Sequence, residues 1–115
     1  MLATVVAGVG LTGGLRPSSF SFDSSGISNR FITPNGDGLN DNVVLTFSNP
    51  RDSSVRCRIY DMKGAFVAEM AQGPVPSLTL EWDATSHGTV VAEGVYVYVL
   101  EAEDKVFTGT LMVIR

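Results

Sequence analysis

The run PNGDGLND contains the side chains whose types and spacing are best suited to chemistry. Asn35, Asp37 and Asp41 present oxygens at the spacing of positions 3, 5 and 9 of an EF-hand calcium loop, with glycine at position 6. Thr33 and Val44 replace the first aspartate and the bidentate glutamate of that loop. Calcium at Asn35, Asp37 and Asp41 would therefore need carbonyl and water ligands in addition.

The same residues also fit a turn that holds no ion. Asn-Gly and Asp-Gly pairs favour chain reversal, because asparagine and aspartate tolerate positive φ and glycine has no Cβ. Asp37 and Asp41 would then accept hydrogen bonds from backbone amides of the loop. The sequence leaves both interpretations open, so we expect either no cofactor or a structural Ca²⁺.

Nucleophilic catalysis finds little support. The only histidine, His87, follows Ser86 directly in a polar segment, and adjacent side chains seldom align as a base and a nucleophile. The acids Glu101, Glu103 and Asp104 crowd a predicted hairpin, where solubility explains them. We therefore expect that the protein is not an enzyme.

Bulk composition limits the partner classes. The chain has 115 residues, 44% of them hydrophobic, and a net charge of -4, which suits one compact domain. It has no cluster of lysines and arginines, so we expect no nucleic-acid partner. The single cysteine, Cys57, excludes an internal disulfide and a cysteine-based zinc site, and we expect a buried, inert thiol.

The first residues, MLATVVAGVGL, are apolar but too short to span a bilayer as a helix, and no basic residue precedes them. We expect neither a membrane span nor an export signal, and interpret the chain as part of a longer protein. A hydrophobic first strand fits the pattern equally well. Residues 1–26 are assigned to an N-terminal extension and residues 27–115 to the main domain.

Alternation with period two dominates the rest of the chain and predicts half-buried antiparallel strands. Residues 95–100, VYVYVL, are apolar on both faces, as in a central strand. Residues 106–114 are predicted as the last strand and residues 27–32 as the first, with residues 19–22 as a second candidate before it. The remaining alternating sets share one face each: Val43, Leu45 and Phe47; Val55, Cys57 and Ile59; Phe66, Ala68 and Met70; Leu78, Leu80 and Trp82.

Turn signals complete the fold prediction. DMKG at residues 61–64 suits a type I turn closed by a left-handed glycine, and residues 103–105 suit a second hairpin connection. Residues 83–94 are predicted as a long polar crossover. The pattern indicates an all-β, immunoglobulin-like antiparallel β-sandwich of about seven strands. Its predicted core and structural residues are Trp82, Tyr96, Tyr98, Ile59 and Gly94.

Arg56, Arg58 and Tyr60 form one outward stripe on a predicted strand. The stripe suits either a docking surface for an acidic partner or glycan, or a solvated face. In the second interpretation the arginines meet cross-strand acids such as Glu69 or Glu101.

Several segments together resemble a known family. FITPNGDGLND, VRCRIYDMKGAFV, LEWDA and VAEGVYVYVLEAEDKVFTGTLMVIR occur in the expected order. They resemble the bacterial C-terminal sorting domain of the gliding-motility-associated, type IX secretion type, which is related to the immunoglobulin-like domain of flagellar hook-capping proteins. The resemblance covers residues 27–115. The turn at residues 61–64 and Ala84, which replaces the usual glycine after Trp-Asp, depart from the family pattern.

The resemblance implies a non-catalytic sorting and anchoring module of a secreted or cell-surface bacterial protein, exported through the periplasm. Its partner would be the secretion translocon, which would recognise strands and loops, including the edge of the last strand. An alternative is a self-assembling subunit of an extracellular filament or surface layer. In that alternative the apolar N-terminal segment inserts as a donor strand into a neighbouring subunit.

Overall fold

The computed structural model describes residues 19–36 and 38–115. The N-terminal segment predicted as a donor strand therefore lies outside the described residues, as does Asp37. None of the described helices is long and apolar enough to cross a membrane. The elements, in chain order, are a 3-10 helix Ser24–Gly26 and ten strands: β1 Phe31–Ile32, β2 Val43–Thr46, β3 Arg56–Asp61, β4 Phe66–Glu69, β5 Ala71–Gln72, β6 Thr79–Trp82, β7 Thr85–Ser86, β8 Thr89–Val90, β9 Gly94–Ala102 and β10 Lys105–Val113.

The strands form two main sheets. One has five strands in the order β1-β10-β9-β3-β4, and the other has three in the order β2-β6-β5, while β7 and β8 form a separate hairpin. The apolar faces of the two main sheets supply one core, which confirms the predicted all-β sandwich. The strand count exceeds seven because β1, β5, β7 and β8 contain only two residues each.

The long strand β9 lies at the centre of the five-stranded sheet, as its apolar sequence predicts. It pairs antiparallel with β10 on one side and β3 on the other, and it buries Tyr96, Tyr98 and Leu100. The Tyr96 hydroxyl donates to the carbonyl of Ala92, four residues upstream. Such a tyrosine corner is a hallmark of immunoglobulin-like sandwiches.

The predicted first strand, residues 27–32, is wrong in extent and orientation. Only Phe31–Ile32 is a strand, and it pairs parallel with β10 rather than antiparallel. The Ser28 amide donates to the Val44 carbonyl in the three-stranded sheet, whereas the Arg30 carbonyl accepts from Met112 in the five-stranded sheet. The chain therefore passes from one sheet to the other within two residues, which one straight strand could not do.

The predicted common face of Phe66, Ala68 and Met70 is also wrong. Ala68 pairs with Ile59 and Phe66 pairs with Tyr60, so the register shifts at a β-bulge. A bulge adds one residue to its strand and reverses the alternation beyond it. Phe66 consequently points outward and is 56% exposed, whereas Met70 remains in the core.

The segment predicted as a long polar crossover contains the hairpin of β7 and β8. His87 and Gly88 form its turn with φ of 54° and 81°. Ala84, which precedes the hairpin, is buried and has a φ of 63°. Left-handed backbone favours glycine, so Ala84 holds a conformation that glycine would adopt at lower cost.

Phe20 is fully buried, although the sequence assigned it to the extension. Its ring centroid lies 5.1 Å from that of Phe47 and 5.8 Å from that of Phe107, which places it between the two sheets. Residues 19–22, the other candidate for a first strand, form no strand and make only an isolated bridge between Ser21 and Ser48. The other buried apolar residues are Ile32, Val43, Leu45, Phe47, Cys57, Ile59, Met70, Leu80, Trp82, Ala84, Tyr96, Tyr98, Leu100, Ala102, Leu111 and Val113.

Candidate functional site

The five-stranded sheet has an outer face, the side turned away from the three-stranded sheet. In a sheet, paired residues on adjacent strands point to the same side. Phe31, Met112 and Val95 are paired in one row across β1, β10 and β9, and they share the outer face. Phe31 is 55% exposed, so this row presents apolar surface to solvent.

A second row continues the outer face toward β4. Val97 pairs with Tyr60, and Tyr60 pairs in turn with Phe66, whose ring lies edge-on at 6.0 Å between centroids. The β-bulge in β4 turns Phe66 into this row. Together the two rows form an apolar and aromatic band on the outer face that includes residues from all five strands.

Charged residues flank this band. Arg56 donates to Glu69 at 2.9 Å, with both side chains about half exposed, which confirms the predicted cross-strand contact for that arginine. An exposed pair of this kind contributes about 1 kcal/mol or less to stability. A side-chain hydrogen bond with Tyr60 raises the pKa of Arg58, so its guanidinium stays charged. In the predicted stripe, Arg56 thus forms an ion pair across the strands, and Arg58 bonds to Tyr60 within the stripe.

The edge of the last strand is only partly available, contrary to the prediction. Near its end, the amides of Met112 and Ile114 donate to Arg30 and Ile32 at 2.8 and 2.9 Å. Alternate residues of a strand point their backbone groups the same way, so Val106, Thr108 and Thr110 also point theirs away from β9. Their amides have no partner among the described residues. We call these three residues the open edge.

In the PNGDGLND loop, the Asp41 carboxylate accepts backbone hydrogen bonds with both oxygens. The Gly36 amide donates to Oδ1 at 3.0 Å and the Gly38 amide donates to Oδ2 at 2.7 Å. Both glycines have positive φ, as a tight reversal requires. Asn35 lies in the same loop, and calcium at Asn35, Asp37 and Asp41 stays a prediction. Among the described histidines, cysteines and acids, no group of three or more is placed to hold a metal.

The residues considered for catalysis make structural contacts. The Ser86 hydroxyl donates to the Val67 carbonyl at 2.7 Å, and so ties β7 to β4. Glu103 accepts from the Phe20 amide at 3.1 Å and from the Ser53 hydroxyl, and these contacts lower the pKa of its carboxyl, the Ser53 bond most strongly. Burial raises the pKa of the Cys57 thiol to about 12, so it remains protonated.

The predicted core residues have specific partners. Trp82 Nε1 donates to the Thr85 carbonyl at 2.9 Å, and the Trp82 ring lies 5.6 Å from that of Tyr96. Tyr98 covers Gly109, where an added Cβ would approach the tyrosine hydroxyl to 2.4 Å. Gly94 has a φ of 153°, which side chains rarely allow.

Sequence reasoning missed Phe31, Met112 and the outward turn of Phe66. Phe31 and Met112 meet through a pairing between distant parts of the chain, and Phe66 turns outward through a bulge. Period-two alternation can report neither feature. Of this surface, the sequence indicated only the outward direction of Tyr60 in the stripe on β3.

The chain was also compared with known proteins. The family model of the CHU_C type IX secretion signal domain matches residues 25–113. Searches of the curated proteins and of the solved structures found no significant match. The matched residues contain both main sheets, the PNGDGLND loop and the outer face. The chain belongs to the type IX secretion signal domain family.

Proposed function

We propose that this domain is a non-catalytic sorting module that directs the protein carrying it through type IX secretion to the cell surface or the exterior. The family match over residues 25–113 is the observation that carries the proposal. Its partner is then the secretion machinery, and its working surface is a docking surface rather than a cleft. Anchoring of the exported protein at the cell surface is a further part of the proposal.

We propose that the machinery recognises the folded sandwich through its outer face. The band from Phe31 to Phe66 combines aromatic, methionine and valine side chains with the guanidinium of Arg58 beside it. Aromatic residues, methionine and arginine are enriched at protein interfaces. A complementary receptor surface would present apolar side chains at its centre and a carboxylate opposite Arg58.

Other polar groups support a passive role. Ser86, Asp41 and Glu103 each direct their side-chain oxygens to contacts that hold loops or strands in place. A signal read by shape needs such fixed loops and needs no reacting group.

A fusion experiment tests the proposal. Residues 19–115 are fused to the C-terminus of a reporter enzyme in a bacterium with type IX secretion, starting at residue 19 because Phe20 is in the core. We expect the reporter outside the outer membrane. A folded reporter that accumulates in the periplasm would contradict the sorting function.

A matched pair of variants tests the outer face. Phe66→Ser removes a 56% exposed ring from the band, and Val75→Ser changes a 49% exposed residue in the loop before β6. We expect Phe66→Ser to reduce export about tenfold, as loss of an interface anchor does, and Val75→Ser to leave export unchanged. Equal export of both variants, with equal melting temperatures, would remove the outer face from the proposal.

A further inference from the structure

The open edge has little of the protection that is usual for an exposed strand. One charged group reaches it, the Arg30 guanidinium, which donates to the Thr110 carbonyl at 3.4 Å at the end nearest β1. The residues of the open edge are Val106, Thr108 and Thr110, which are uncharged and favour strands. Natural edges carry lysine, proline or bulges to prevent pairing. The adjacent Lys105 does not serve this purpose, because its ammonium group donates to Ser19 Oγ and the Phe20 carbonyl, both at 2.8 Å.

The edge also has a defined length. β1 already occupies the positions beside Met112 and Val113. An added strand can therefore pair only along the preceding residues, from Lys105 to Thr110. Six residues of antiparallel strand span about 20 Å, which is enough for a short strand.

The beginning of the chain has the complementary composition. No charged side chain precedes Arg16, and Thr4, Val5, Val6 and Val9 are β-branched. Such uncharged, strand-favouring segments aggregate when they are left unpaired. The described part of the chain thus has an open strand edge, and the sequence before residue 10 is uncharged and favours strands.

The attachment point brings these two features together. Ser19 accepts a hydrogen bond from Lys105, the first residue of β10, so the segment before residue 19 joins the domain at one end of the open edge. Residues 10–18 suffice as a connection, since nine extended residues reach about 30 Å. Gly13 and Gly14 permit a chain reversal within it, and Pro17 suits a connection better than a paired strand.

We propose that residues 3–9 pair with the open edge of β10 in the same chain and make β10 an internal strand along its whole length. A tether of this length gives an effective concentration in the millimolar range, which favours pairing within one chain over pairing between chains. The occupant is thus a segment of this protein. The inference does not rest on the proposed sorting function, because it concerns the isolated chain.

Hydrogen exchange of the purified chain, residues 1–115, tests the inference by NMR. Val6→Pro removes a backbone donor from the proposed strand, and Val6→Thr is the matched control that keeps it. We expect the Thr108 and Thr110 amides to exchange about a hundredfold faster in Val6→Pro than in the parent or Val6→Thr. The Phe107, Gly109 and Leu111 amides, which point toward β9, should remain protected in all three proteins.

Two results would overturn the inference. One is fast exchange of Thr108 and Thr110 that is identical in the parent and Val6→Pro. The other is protection that appears only with rising concentration and dimer formation, which would show that a second copy covers the edge. The export assay is a separate measurement on residues 19–115, so failure of either proposal leaves the other intact.

Discussion

The two faces of the five-stranded sheet differ in what their side chains contact. On β3, Ile59 is fully buried against the three-stranded sheet, whereas its neighbour Tyr60 lies on the outer face and contacts Phe66. On β10, Leu111 is buried and Met112 is 37% exposed. The same strands thus provide stability with one side and a surface for recognition with the other. A substitution on one side should leave the property of the other side largely unchanged.

The largest expected effect comes from adjacent residues of β3. Ile59→Ala removes fully buried methyl groups and should lower the free energy of unfolding by about 2–5 kcal/mol. Tyr60→Ala, on the opposite face, should lower it by less than about 1 kcal/mol. Urea unfolding followed by tryptophan fluorescence measures both, since Trp82 lies in the core. Similar losses for the two variants would break the distinction between the faces.

A smaller effect is expected in the PNGDGLND loop, which belongs to neither face. Asp41→Ala removes the acceptor of the Gly36 and Gly38 amides and should cost about 1 kcal/mol in calcium-free buffer. Lys63→Ala, an exposed change in another turn, is the control. If Asn35, Asp37 and Asp41 bind calcium, millimolar Ca²⁺ will raise the melting temperature of the parent but not of Asp41→Ala. An unchanged parent would contradict the calcium prediction.

The smallest effect depends on pH and concerns Glu103 at the end of β9. The Ser53 hydroxyl and the Phe20 amide lower the pKa of its carboxyl from 4.5. A lowered folded-state pKa stabilises the domain above the unfolded pKa, and this stability is lost as pH falls through the folded value. Glu103→Gln should therefore flatten the fall in melting temperature between about pH 5 and pH 3. A parallel fall in both proteins would show that the Phe20 contact is not coupled to the fold.

Local patterns were sufficient for much of the fold. Alternation predicted β2, β3 and β6, residues 106–114 were predicted as the last strand, and the run of apolar residues placed β9 at the centre. The glycine of the DMKG turn has a φ of 87°, and the Gly64 amide donates to the Asp61 carbonyl, as expected for that turn. These features depend on neighbours in sequence, which is why the sequence carries them.

The remainder depends on contacts between distant residues. The parallel partner of β1, the burial of Phe20 beside Phe107 and the bulge that exposes Phe66 follow from how the two sheets meet. Alternation says which residues share a side of one strand but not which strands are adjacent. The arginine stripe on β3 was therefore visible in the sequence. The aromatic row beside it could be recognised only from the pairing of β3 with β4 and β9.

The pairing of β1 with β10 determines when the five-stranded sheet can be completed during synthesis. At this junction Arg30 contacts Thr110, 80 residues away, so strands from opposite ends of the domain must meet to finish the sheet. A nascent or clipped polypeptide that stops before residue 105 leaves both β1 and β9 without their shared neighbour. Under the proposed function, an export receptor that docks on the complete sheet would not bind such unfinished molecules. Export would then select complete chains without a separate quality-control step.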